Sequence, residues 1–470
     1  MRRPSVFLLT SFCLLASGCG DGVVSIAHDA GSDGGGAGDA GVDGGADGGL
    51  PDGGGVDGGS DGGSPDGGGG GPTRYVDASE RLPSTASSTT DALLFDADGD
   101  RVADLLFVSQ TDAAGNEGGV ELLLRRGADL VPSPMPTTGS WTFGAAGDLD
   151  RDGDLDVVLT RPARTSAQVA LLLNDGAGAF TFDDTSLPLI NGEVNGLSFA
   201  RPVLLDLTGD GAPELFLPLS FSLDFTDDMP SVLLVNDGFG TFVVDPAGRL
   251  PAIPDLEDWT ICAAAGDVDG DGDLDLFLGE AERQQRLLIN AGGTFSDQTL
   301  DDGSGAPRLP PDTVRSYHCE FADLDGDGDQ DLVIITDAST SSGTAVATEN
   351  VALWNDGAGH FALEVLPSTA GPRDSRGLFV TDLDGDGHLD ILVGNASDTL
   401  DHGGQALEIL HGQGGGSFLP FAGLPAFGGG VYAVPAADLD GDGWGDVFLA
   451  VGEPDPATGS LRNRLLVSAP

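Results

Sequence analysis

Seven times along this chain, acidic residues return at fixed places within a nine-residue stretch. The sixth copy is Asp382-Leu383-Asp384-Gly385-Asp386-Gly387-His388-Leu389-Asp390, with carboxylates at places one, three, five and nine and glycine at place six. The copies begin at Asp96, Asp148, Asp206, Asp267, Asp323, Asp382 and Asp438, at spacings of 52, 58, 61, 56, 59 and 56 residues. A period of that size requires one supersecondary unit per repeat, each packing on its neighbours. Apolar runs flank the acids: Leu378, Phe379 and Val380 before, Ile391, Leu392 and Val393 after. These runs are too short for helices and end in turn residues, so the unit reads as strand, loop, strand. Two like charges held ~4 Å apart repel by about 4 kcal/mol at an effective dielectric of about 20. A hard divalent cation turns that repulsion into attraction, and an all-oxygen ligand set suits calcium. Glycine at place six supplies the positive φ that a chain wrapped round an ion needs. The alternative is a solvated Asp-Gly turn with no ion. Recurrence of the acids at matching places in seven copies favours the ion.

Each repeat has room for four short strands. In the sixth they are expected at residues 376–381, 389–394, 406–410 and 417–421, with the acidic loop between the first two. A second turn recurs between the third and fourth: Asn174-Asp175-Gly176, Asn236-Asp237-Gly238 and Asn355-Asp356-Gly357, with a shortened form at Asn290. Asn-Asp-Gly is hairpin chemistry, and the phenylalanine that follows each turn (Phe180, Phe242, Phe361, Phe295) reads as a core anchor. After the last acidic loop only a second and a third strand remain, at residues 447–451 and 464–467. The missing fourth strand stands at the front, where Tyr75-Val76-Asp77-Ala78-Ser79 resembles Phe182-Asp183-Asp184-Thr185-Ser186. Ring closure of this kind leaves only short, protected edges. The expected fold is all-β, a seven-bladed β-propeller closed by its N-terminal strand.

These repeats resemble the FG-GAP/VCBS family, which includes the propeller of integrin α subunits, over residues 73–470. The resemblance implies calcium in the hairpin between the first two strands of each blade. Its ligands would be Asp148, Asp150, Asp152 and Asp156; Asp267, Asp269, Asp271 and Asp275; Asp323, Asp325, Asp327 and Asp331; Asp382, Asp384, Asp386 and Asp390; Asp438, Asp440, Asp442 and Asp446. Two copies depart from the pattern. The first keeps Asp96, Asp98, Asp100 and Asp104 but has Arg101 in place of the glycine. The third has Asp206, Asp210 and Glu214, with Thr208 at its third place. Five full sites are expected, and seven at most. No histidine or cysteine is expected beside the loops.

The front of the chain is of another kind. Met1-Arg2-Arg3 and the apolar run from Val6 to Ala16 read as a secretory signal, too short to span a bilayer. Ala16-Ser17-Gly18-Cys19 resembles the lipobox of bacterial lipoproteins, which implies a lipid on Cys19 and a signal peptide of residues 1–18. Residues 20–72 are almost entirely Gly, Asp, Ala and Ser, too poor in apolar groups to bury a core, and read as a disordered tether. The net charge of −56 argues against phosphate-backbone binding, which needs a basic surface. Cys262 and Cys319 lie on first strands of adjacent blades with opposite parity, so a disulfide and two buried thiols are both open.

Trp141, Phe199, Trp259, Tyr317, Arg376 and Tyr432 precede the acidic loops by six to eight residues. They are candidates either for a ligand face at the channel mouth or for packing between blades. The leading functional expectation is a lipid-anchored, calcium-stabilised extracytoplasmic monomer that binds protein or glycan without catalysis. The alternative is an exported enzyme acting on polysaccharide. No Gly-x-Ser-x-Gly elbow stands in residues 73–470, and the domain histidines show no metal spacing.

Overall fold

The computed structural model describes residues 75–468, apart from 84–87, 112–114, 116–117, 137–138, 162–167, 189–196, 223–230, 252–259, 281–283, 312–314, 337–348, 369–373, 397–405, 426–427 and 455–460. The signal, Cys19, the tether and Trp259 therefore lie outside the described residues.

The second strand of each repeat reads as an unbroken apolar run, as in Asp331–Thr336 and Asp390–Asn395, and both are buried along their whole length. A strand apolar on both faces must be covered on both faces. That is what a ring of blades provides. Seven antiparallel blades each run first, second, third, fourth strand in order outward, and the third carries a separate two-stranded sheet besides. The sixth blade is Ser375–Thr381, Asp390–Asn395, Leu407–Gly412 and Phe418–Pro420, within two residues of the expected bounds. First strands of neighbouring blades pack against one another all the way round, so they line the axis. Seven apolar clusters result, each shared by two adjacent blades. Phe180, Phe242, Phe295, Phe361 and Phe418, which follow the third-strand turns, are all buried in them.

The ring closes as the ends of the chain predict. Val76–Asp77 pairs antiparallel with Arg464–Val467, Val76 opposite Val467 and Asp77 opposite Leu466. The hydrogen bond from Ala78 N to Leu465 O, 2.8 Å, extends the ladder. In the third blade Pro202 and Pro218 interrupt both inner strands, since proline lacks the N–H a ladder needs. In sequence the stretch from Leu219 to Pro230 reads as a long variable connection after the second strand, yet Leu219 begins a further strand, Leu219–Ser222, that pairs with Leu197–Phe199. The described residues contain one helical element, the short 3-10 turn Ser79–Arg81.

Candidate metal centres

The acidic loops share one internal architecture. In the sixth, the Asp382 carboxylate accepts from the backbone N–H groups of Gly385 (2.8 Å), Asp386 (3.1 Å) and Gly387 (3.0 Å). Asp390, fully buried, accepts from Leu383 N (2.8 Å) on one oxygen and Gly412 N (2.7 Å) on the other. The first acid thus winds the loop, and the ninth ties it to the second and third strands. Asp156, Asp275, Asp331 and Asp446 repeat the second role. In the third loop Glu214 accepts from Leu207 N, 2.8 Å, so the longer side chain still closes its loop.

The winding needs left-handed backbone at two places rather than one. Gly385 and Gly387 have φ of 73° and 87°, and the fourth and fifth loops repeat this at Gly270, Gly272, Gly326 and Gly328. Arginine is forced into that region twice, Arg101 at 68° and Arg151 at 62°. A non-glycine residue there costs on the order of 1 kcal/mol.

Within these loops the carboxylates converge. Asp96, Asp98 and Asp104; Asp148, Asp150 and Asp156; Asp267, Asp269 and Asp271; and Asp323, Asp325 and Asp331 each bring ligand atoms within 4.8 Å of one another. Asp98, Asp148 and Asp269 each keep one buried carboxylate oxygen with no hydrogen-bond partner. Burial, reinforced by neighbouring acids, lifts the Asp156 and Asp275 carboxyls to about 7 and those of Asp104, Asp331 and Asp446 to about 6. Unpaired buried carboxylate oxygen beside further carboxylate is costly unless a cation compensates it. The donor set, all oxygen and rich in charge, fits a hard divalent ion.

Three loops receive arginine. Arg126 pairs with Asp98 and, at 3.3 Å, with Asp100 of the first loop. Arg151 reaches Asp210 of the third at 3.1 Å, and Arg308 approaches Asp269 of the fourth at 3.5 Å. The sixth loop receives histidine instead: His411 Nδ1 lies 3.4 Å from both Asp384 and Asp390. This corrects the expectation that no histidine stands beside a loop.

The Asn-Asp-Gly turns do more than reverse the chain. Asn174 Nδ2 donates to Ala97 O (2.9 Å), Asn236 Nδ2 to Leu149 O (2.8 Å) and Asn355 Nδ2 to Val268 O (2.8 Å). Each acceptor is the second residue of the preceding blade's acidic loop. The loops are therefore clamped between blades, and the recurrence of asparagine at that strand end was the available signal.

The remaining candidates resolve differently. Cys262 and Cys319 form a disulfide with Cα atoms 6.1 Å apart, linking the first strands of the fourth and fifth blades. Trp141, Phe199, Tyr317 and Tyr432 are at most 5% exposed, inside the structure rather than presented at an open mouth. The Arg376 guanidinium stacks 4.4 Å from the Tyr317 ring, and Tyr432 Oη donates to Glu453 at 2.8 Å. Tyr317, Arg376 and Tyr432 are the extra residues of β-bulges in the first strands, a feature that re-aims side chains.

A family model described as an FG-GAP-like repeat matches residues 148–217, 267–334 and 323–393. No curated protein matches the chain. A solved structure described as the crystal structure of BBS1N in complex with ARL6DN, soaked with lead, aligns with a TM-score of 0.47 and 10% identity, covering 84% of this chain and 98% of that one. The chain is a seven-bladed β-propeller, and its residues 148–217 and 267–393 match FG-GAP-like repeats.

Proposed function

We propose that this protein is a calcium-stabilised binding module, held outside the cytoplasm by a lipid on Cys19 and carrying no catalytic task. The observation that carries the calcium reading is the buried, unpartnered carboxylate oxygen of Asp148 and of Asp269, each inside a loop whose acids converge. Calcium there acts on shape. The loops are tied by asparagine to the next blade, so an ion in a loop stiffens a blade interface as well as its own hairpin. An ion that binds only the folded state stabilises by mass action, and about 1 kcal/mol per site suits the weak affinities of extracellular modules.

The partner is an extracellular protein or glycan, met by the connections on the ring face opposite the acidic loops. Variable loops on a rigid scaffold are where recognition is usually placed. Protein and glycan arrays probed with the full chain, with calcium and with chelator, test this reading. It requires at least one ligand class that is lost on chelation. Hydrolysis of an arrayed polysaccharide would instead support the exported enzyme.

A further inference from the structure

We propose that the sixth loop is a mixed nitrogen and oxygen site that takes a borderline divalent cation, zinc above all, through Asp384, Asp390 and His411. The inference rests on the reading of the loops as metal cages and assigns one of them a different metal.

Two carboxylates from different parts of the loop meet a single ring nitrogen. Asp384 Oδ2 and Asp390 Oδ1 both lie 3.4 Å from His411 Nδ1. One N–H points its hydrogen at one acceptor, and a good N–H···O bond spans about 2.7–3.2 Å. Equal separations of this length from one nitrogen match the edges of a coordination polyhedron. A tetrahedral centre with bonds of about 2.0–2.1 Å holds its ligand atoms about 3.3–3.4 Å apart. His360 makes the contrast. Its Nε2 faces Asp302 at 3.2 Å and its Nδ1 faces Asp356 at 3.5 Å, one acid per nitrogen, which is an ion-pair bridge and not a chelate.

The histidine is also local to this blade. It stands one place before Gly412, whose N–H binds the ninth acid. The matching residues in five other blades are Leu124, Leu173, Ile289, Trp354 and Val467, none of which offers a nitrogen or oxygen ligand at physiological pH. Imidazole nitrogen suits zinc, whereas calcium takes oxygen.

The site is held in place before any ion arrives. Asp390 is fixed by two backbone N–H groups, and the His411 ring packs 5.0 Å from Phe421. Phe421 in turn meets Tyr75, 5.9 Å away, which precedes the closing strand and donates to Gly445 O in the seventh loop. An ion here would therefore sit against the seam where the ring closes.

The test counts metals on the untagged full chain, dialysed with excess calcium and equimolar zinc, for wild type, His411→Leu and His388→Ala. His388 lies exposed in the same loop and serves as the control. The proposal predicts one zinc per chain in wild type and in His388→Ala. It predicts at least tenfold weaker zinc binding by titration calorimetry in His411→Leu, which carries the residue type of the other blades and keeps its remaining calcium. Zinc binding unchanged in His411→Leu overturns it, as does calcium uptake without zinc in wild type. Zinc retained without any calcium would uphold this site and refute the calcium reading of the others.

Discussion

Arg126 stands where the first loop would hold an ion. Its guanidinium meets Asp98 and Asp100, two of the four acids, and it is fixed by the chain rather than recruited from solution. Replacing it with alanine removes that internal cation and leaves the acids converged. Arg126→Ala is predicted to raise the calcium stoichiometry by one, measured by titration calorimetry. An unchanged count would mean that Arg126 does not compete for the loop. Sequence showed Arg101 as a departure from the pattern, and the structure confirms its left-handed backbone. Arg126 was not legible, because it lies 22 residues beyond the first loop's ninth acid and comes to it only through pairing of strands.

Glu320 sets a second test at this scale. Enclosed among the inner strands, its carboxyl is lifted by burial to about 8, against the pull of Arg201 and the Val380 N–H. A folded value above the unfolded one gives stability that is complete below the ordinary glutamate range, falls as pH rises between the two values, and is gone above about 8. Thermal stability should therefore decline more steeply from pH 5 to pH 8 in wild type than in Glu320→Gln, and the two should run parallel above pH 8. Parallel profiles from pH 5 to pH 8 would place the pH dependence elsewhere.

At the scale of elements, the third-strand turns join one blade to the next. Asn174 is buried, and its amide satisfies Ala97 O in the preceding blade and Leu155 O in its own. Asn174→Ala leaves buried carbonyls unpaired, at a cost of about 1–3 kcal/mol. Chemical denaturation should show that loss, together with weaker calcium binding at the first and second loops. The disulfide between Cys262 and Cys319 joins first strands directly across 57 residues of chain. Bridges of this span typically contribute about 2–4 kcal/mol. Cys262→Ser with Cys319→Ser should lower stability by that order, and reductant should then have no further effect.

Strand order and the acidic loops were legible because both rest on short-range chemistry: period, turn residues, and acids at fixed offsets. The bulges that bury Tyr317 and Tyr432 were not, since the extra residue of a bulge has no signature in an apolar strand. Leu219 was misread for a related reason. Pro218 reads as the end of a strand, yet pairing resumes immediately after it with Leu197–Phe199, beyond the matching break at Pro202.

For the whole molecule, stability is distributed over seven blade interfaces, each with its own apolar cluster, and two of the seven draw on the chain's front segment, one through Tyr75 and the other through Ala78 and Leu82. Closure was legible because the last repeat lacks a strand that residues 75–79 supply. The placement of the loops between blades was not, since it depends on side chains meeting across repeats. It would also carry the effect of a bound ion to the ring, because the first, second and fourth loops are each tied by asparagine to the next blade. With about 1 kcal/mol for each of the five full loops, removal of their divalent ions should cost on the order of 5 kcal/mol. The measurement that bears most directly on this account is calorimetry of the full chain in calcium and in excess EGTA. A melting temperature lower by roughly 5–10 °C in EGTA is predicted. Identical melting temperatures in the two buffers would contradict the account, and the acidic loops would then be turns that hold their shape without an ion.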